Sequence, residues 1–192
     1  MDVKRVAILG VLLVLLIILI VVFFKSGGKE KIKQPPPAPR PELQSQPKES
    51  GQTKKIVLLF LSEEDDLLHP EEREIIADSS VVRQASQTIE ELIKGSEKGY
   101  LSPFPPETKL RQLFITKEGV AYVDFSKELT EKHPSGSSAE ILTVYSIVNS
   151  LTQNFNSIKK VFILVDGGEK ETLGGHIDLT RPFLPQYSLI AD

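Results

Sequence analysis

Val6 to Phe24 (VAILGVLLVLLIILIVVFF) is an unbroken run of 19 uncharged, apolar residues, and no other feature restricts the folding of this chain so strongly. As an α-helix it would extend about 28 Å, close to the roughly 30 Å hydrocarbon thickness of a bilayer. A helix on the surface of a globular core carries a polar face, and this run has none. The competing reading is a secretory leader, whose apolar region is typically shorter, about 7–15 residues, and ends in a small-x-small cleavage site. Here the run is longer and exits through Phe23-Phe24-Lys25-Ser26. It therefore reads as an uncleaved transmembrane helix, residues 6–24, behind a short tail, residues 1–5.

Two indicators of orientation oppose each other. Lys4 and Arg5 precede the helix, whereas Lys25, Lys29, Lys31 and Lys33 follow it, and positive charge alone favours a cytoplasmic C-terminal side. A very short basic start before a long C-terminal part is instead the pattern of a signal anchor. The second is preferred, which makes the protein a single-pass cell-membrane protein with an extracytoplasmic C-terminal domain. The expected contact with the bacterial membrane is through residues 6–24.

Residues 25–54 hold six of the thirteen prolines, including Pro35-Pro36-Pro37, Pro39 and Pro41, and show no apolar periodicity. Proline removes a donor and fixes φ, and the surrounding Lys, Gln, Ser and Glu cannot build a core. This segment reads as a disordered Pro-rich linker. Charge divides along the same boundary: residues 1–54 carry a net +5 and residues 55–192 a net −8. An acidic folded part disfavours a nucleic-acid partner, because phosphate binding depends on clustered Lys and Arg. With no Cys in the chain, disulfides, thiolate metal sites, a thiol nucleophile and Cys-linked lipid are all excluded.

The remaining stretch, residues 55–192, reads as one α+β domain. Lys55–Leu61 (KIVLLFL) predicts a buried strand, bounded by the acidic loop Ser62–Asp66. Ser80–Lys94 places Val81, Val82, Ala85, Ile89, Leu92 and Ile93 at helical spacing, with Ser79 or Ser80 to cap it and Gly95 to end it. Leu110–Thr116 and Val120–Phe125 flank Lys117-Glu118-Gly119, a hairpin signal. Ser137 with Glu140 matches a capping box opening a second helix, lined on one face by Ile141, Val144, Tyr145, Val148, Leu151, Thr152 and Phe155. Val161–Val165 predicts a last buried strand, followed by turns and at most one short strand near His176–Leu179. The order βαββαβ predicts a split-βαβ sandwich, two helices on one face of an antiparallel sheet.

Leu92-Ile93-Lys94-Gly95, Gly119–Ser126 (GVAYVDFS), Val165-Asp166-Gly167 and Leu173–Leu179 (LGGHIDL) together resemble the GerMN domain of sporulation and spore-germination proteins, over roughly Ile56–Phe183. The resemblance implies a fold similar to the ring-building motifs of sporulation and secretion-system channels, and it implies no catalytic residue. The chain departs from the GerM pattern in having one such domain and an apolar helix in place of a lipid-modified Cys.

Candidate chemistry is sparse. His176 and Asp178, two apart on a strand, would share a face as a metal pair or as a base with its orienter. No third ligand or nucleophile accompanies them, since His69 and His133 fall in expected loops, so both are read as bonding nearby backbone in a turn. Asp124 and Ser126 at a strand end read as turn-binding groups. Asp166-Gly167-Gly168 and Gly174-Gly175 lack the G-K-[ST] of a phosphate loop and are read as turns with positive φ. Glu63–Asp66 does not match a calcium loop. No residue is assigned a catalytic, cofactor or metal role, and no cofactor is expected. The leading expectation is a non-enzymatic interaction or assembly domain, pairing with itself or with other envelope proteins. A cell-envelope module for peptidoglycan or a small polar ligand is the alternative, and a hydrolase the remote one.

Overall fold

The computed structural model describes residues 51–134 and 136–191. The expected tail, transmembrane helix and most of the Pro-rich linker lie outside the described residues. Among the described residues no helix is long and apolar enough to cross a membrane.

The chain enters on strand β1 (Thr53–Leu61), which runs antiparallel to β2 (Leu68–Ile76) in a two-stranded sheet. β1 is buried on both faces, which explains its unalternating apolar sequence. Ile56, Leu58 and Phe60 face the main core, whereas Leu59 and Leu61 join Leu68 and Leu142 in a second, smaller cluster.

Strand β2 is absent from the expected order, and His69 lies on it rather than in a loop. Its sequence conceals it: Glu71 and Arg73 occupy inward positions where an apolar alternation would place hydrophobes. Glu71 is 2 % exposed and accepts from Arg73 Nε (2.7 Å), Ser96 Oγ (2.6 Å), Glu97 N (3.1 Å) and Lys98 N (3.3 Å). Burial raises the Glu71 pKa, but the bonds from Ser96, Glu97 and Arg73 outweigh it, and the net shift is downward. Arg73 is also ringed by Glu91 (3.6 Å) and Glu97 (3.1 Å) and donates to Gly95 O (2.9 Å).

Helix α1 (Val81–Lys94) starts where Ser80 Oγ accepts from Arg83 N and stops at Gly95, which takes φ 91°. Strands β3 (Leu110–Ile115) and β4 (Val120–Phe125) form the expected antiparallel hairpin, with a bulge between Leu110 and Gln112. Gly119 closes their turn at φ 80°, and a Cβ there would lie 2.7 Å from Ser157 O. A short helix α2 (Glu128–Glu131) leads to the long α3 (Ser137–Asn154), and the crossover returns β5 (Lys160–Val165) parallel to β4. The single antiparallel βαββαβ sheet is thus corrected to two sheets, β1-β2 and the mixed β3-β4-β5. Parallel pairing follows from the α3 crossover, which a hairpin cannot replace. Inward residues of β4 and β5 (Ala121, Val123, Phe125, Val161, Ile163) share one core with Ala85, Ile89 and Leu92 of α1 and Val144, Ile147 and Leu151 of α3. This core lies wholly within residues 56–179, so the domain carries its own hydrophobic interior.

Helix α3 is not the one-faced helix its apolar spacing suggests. It is buried on almost every side, and its polar side chains dock the main chain of its neighbours. Ser146 donates to Leu59 O, Ser150 accepts from Leu59 N (3.1 Å), and Asn154 both accepts from Val57 N (2.9 Å) and donates to Val57 O (2.7 Å). Spaced four residues apart, these three side chains cover the outer edge of β1. Asn149 binds Gln186 through both its N–H (2.9 Å) and C=O (2.9 Å), and Thr143 donates to Pro103 O (2.9 Å).

Candidate functional site

The expected capping box at the start of α3 does not form. Gly136 occupies the N-cap, without a side-chain bond, and Glu140 turns inward. The Glu140 side chain is fully buried; its Oε2 accepts from Gly174 N (3.0 Å), His176 N (3.1 Å) and Ile177 N (3.0 Å). Its Oε1 accepts from His176 Nδ1 (2.7 Å), which fixes the proton on that nitrogen. A backbone cradle of converging N–H groups is an anion site, and here the protein's own carboxylate fills it. Burial pushes the Glu140 pKa up; the bonds from His176, Ile177 and Gly174 more than offset this and lower it to about 2.

Gly174 must lack a side chain for this arrangement. A Cβ there would lie 2.9 Å from Glu140 Oε1 and 3.2 Å from its Cδ, and the buried carboxylate has no room to retreat. Gly174→Ala is expected to destabilise the domain by about 2 kcal/mol through overpacking. Urea titration measures this, and an unchanged midpoint would show slack that the geometry denies.

His176 and Asp178 are not brought together as a pair. His176 binds Glu140, whereas Asp178 accepts from Thr180 Oγ1 (2.6 Å), Thr180 N (2.9 Å) and Arg181 (3.1 Å). The local turn bonding expected of Asp178 is present; that expected of the His176 ring is replaced by a partner 36 residues away. A carboxylate-held imidazole is the base half of a hydrolytic triad or an oriented metal ligand. Among the described residues no hydroxyl bonds this ring, and no group of three or more His, Asp or Glu is placed to hold a metal. What the geometry does is fasten the LGGHIDL loop to α3.

Asp124 and Ser126 also bind main chain. Asp124, 5 % exposed, accepts from Gly167 N (2.9 Å) and pairs with Arg111 (3.2 Å), which also contacts Asp166. Ser126 accepts from Lys109 N (3.0 Å). Asp166 (φ 53°) and Gly167 (φ 80°) form a two-residue turn closed between Val165 and Gly168, with the pair of positive φ values that such turns require.

The outward face of the three-stranded sheet carries a row of aromatic rings that the sequence pattern did not single out. Phe114 on β3 stacks on Tyr122 of β4 (centroids 4.7 Å, interplanar 6°), and Tyr122 stacks on Phe162 of β5 (5.2 Å, 24°). The row runs from Phe162, nearly buried, to Phe114, 47 % exposed at the sheet edge. Thr116 N donates to Val120 O (2.9 Å) across the hairpin, so by alternation Phe114 faces β4 while Leu113 and Ile115 turn their backbone groups outward. Period-two alternation in Leu110–Thr116 was the available signal: Leu113 and Ile115 inward, Gln112 and Phe114 outward.

The sequence profile described as Germane: sporulation and spore germination matches residues 57–171. Among solved structures, a protein from Clostridium perfringens described as a candidate lipoprotein is 29 % identical, with a TM-score of 0.51, over 72 % of this chain and 93 % of that one. The tandem GerMN domains of the sporulation protein GerM from Bacillus subtilis share the fold at 23 % identity and a TM-score of 0.57. That likeness covers 71 % of this chain and 48 % of that one, so this chain spans about half the tandem. The first GerMN domain alone gives 23 % identity and a TM-score of 0.53, over 69 % of this chain and 98 % of that domain. Among curated protein sequences none matches.

Proposed function

The chain belongs to the Germane family of sporulation and spore germination proteins, and from that premise we propose that its domain is a non-enzymatic interaction and assembly module. It is held at the cell membrane by residues 6–24 and works on the extracytoplasmic side. The observation that carries this reading is the contrast between its polar interior and its open sheet edge. Glu140, Glu71 and Asp124 are each committed to main-chain N–H groups of the protein itself. The aromatic row, by contrast, ends on an exposed Phe114 beside outward backbone groups of β3. Unpaired strand edges recruit further chains, whereas a site for chemistry needs converging groups in named roles. Membrane attachment is supported by the 19-residue apolar segment and by the lipoprotein description of the Clostridium perfringens relative.

Amine cross-linking of the full chain in its native membrane, with sedimentation of the detergent-extracted protein, tests the reading. Adducts with itself or with envelope proteins are expected, as is sedimentation that depends on concentration. A strict monomer without adducts, showing saturable binding to isolated wall fragments, would replace this reading with the ligand-binding one. On intact spheroplasts, external protease should digest the domain; full protection would reverse the orientation.

A further inference from the structure

We propose that β3 is a self-pairing edge: two copies of this chain join their three-stranded sheets antiparallel through Leu113–Ile115, about a two-fold axis at Phe114. The inference rests on the assembly reading above and specifies the partner and the register.

The other edges are covered, blunted or occupied in part. β1 is covered by Ser146, Ser150 and Asn154, and Leu61 exchanges backbone bonds with Leu101. β5 is occupied by Phe183, which exchanges bonds of 2.7 and 3.0 Å with Val161. β2 is blunted by Pro70, Glu72 and Glu74, and its ends are taken by Ala191 and by Gln87. Proline and charge on an edge are ordinary protections against pairing. On β3 the bulge interrupts regular pairing at Arg111, and the stretch Gln112–Thr116 carries no charge, proline or covering segment among the described residues.

Register follows from parity. Only residues whose N–H and C=O face outward can exchange bonds with the second copy, and on this stretch these are Leu113 and Ile115. Pairing Leu113 with Ile115 of the other copy uses both residues of both chains. Shifting by one allowed step in either direction leaves one of them opposite Arg111 or Lys117. The favoured register sets Phe114 opposite its symmetry mate as a non-hydrogen-bonded pair, where side chains approach closest. The stacked row Phe162-Tyr122-Phe114 then continues into its copy, extending contacts that already exist on one sheet. This register also brings Arg111 toward Lys117 of the other copy; Arg111 is already balanced by Asp124 and Asp166, and Lys117 adjoins Glu118.

The chain contains no Cys, so the full-length protein in membranes can report this register directly. Gln112 and Thr116 would oppose each other across the axis at a Cα separation of about 4.5 Å, within disulfide reach. Within one chain they lie about 13 Å apart along a strand and cannot bond. Under mild oxidation the Gln112→Cys/Thr116→Cys double variant is expected to give covalent dimer, as is a co-expressed mixture of the two single variants. Each single variant alone should give about tenfold less, because its two thiols are too far apart. Adding Phe114→Lys to the double variant should cut the dimer at least fivefold while leaving the circular dichroism spectrum unchanged, since Phe114 is half exposed. Equal cross-linking by the single variants, or no disulfide in the double variant, would overturn the proposal. If amine cross-linking still captures adducts in that case, the assembly reading survives and only the β3 pairing falls; if it captures none, both fall.

Discussion

Replacing Glu140 with alanine is expected to lower the unfolding free energy of the domain by about 3–5 kcal/mol, because four hydrogen bonds to one charged acceptor, each worth about 1.5–3 kcal/mol and not fully additive, are lost together. The substitution leaves the N–H groups of Gly174, His176 and Ile177 without their acceptor and removes the tie between α3 and the loop. Glu140→Gln keeps the shape but sets an amide N–H₂ against donors, and should cost about 2–3 kcal/mol. His176→Ala deletes one bond at a half-exposed ring, leaves the three amides satisfied, and should cost about 1 kcal/mol. That ordering would show that the carboxylate, rather than the ring, fastens the loop to α3.

The same carboxylate sets an acid limit. Its pKa falls from 4.5 to about 2 on folding, so the folded state binds fewer protons than the unfolded chain in this window. The stabilisation, about 3 kcal/mol for a shift of this size, is fully present above pH 4.5 and is lost as pH falls toward 2. Denaturation of the wild type at several pH values from 6 down to about 2.5 should show this decline, and Glu140→Gln should be flatter over the same range. Equal slopes for the two proteins would remove Glu140 from the account.

The second large effect is expected at Arg73. Arg73→Met should destabilise by about 3 kcal/mol, towards the lower end for a broken buried pair, because Glu71 keeps the Ser96 hydroxyl and two backbone N–H groups. It also leaves Glu91 and Glu97 without the cation between them. In the double variant Glu71→Gln/Arg73→Met the uncompensated buried carboxylate is gone, so part of the loss should be recovered. A double variant whose loss equals or exceeds the sum of the two single losses would show that the pair is not coupled as its geometry indicates.

The elements legible in the sequence are those where an apolar run and a local punctuation mark coincide. β1 is announced by KIVLLFL, α1 by its stripe between Ser80 and Gly95, the β3-β4 hairpin by Gly119, and β5 by VFILV before Asp166-Gly167. What stayed hidden depends on distant partners. β2 shows no apolar alternation, because Glu71 and Arg73 hold inward positions and satisfy each other in the interior. The Ser137-Glu140 spacing satisfies a local capping rule, yet Glu140 finds three amides and a ring on a loop 34–37 residues downstream. Along α3 a row of Ser146, Ser150 and Asn154 at four-residue spacing was the available clue that a second face is buried; only the neighbouring strand explains it. The site suffered likewise: LGGHIDL is recognisable as a turn, but its anchor is not local to it.

Amide hydrogen exchange of residues 51–192 by NMR near neutral pH, at low and high protein concentration, tests the central claim most directly. The N–H groups of Gly174, His176 and Ile177, and those of Val57 and Leu59, should be protected at both concentrations because side chains of α3 hold or cover them. Leu113 and Ile115 should exchange rapidly when dilute and slow when concentrated, as the β3 edge acquires its partner. Rapid exchange at the Glu140 amides, or protection of Leu113 and Ile115 that ignores concentration, would contradict an interior already committed to itself and an edge left open for another chain.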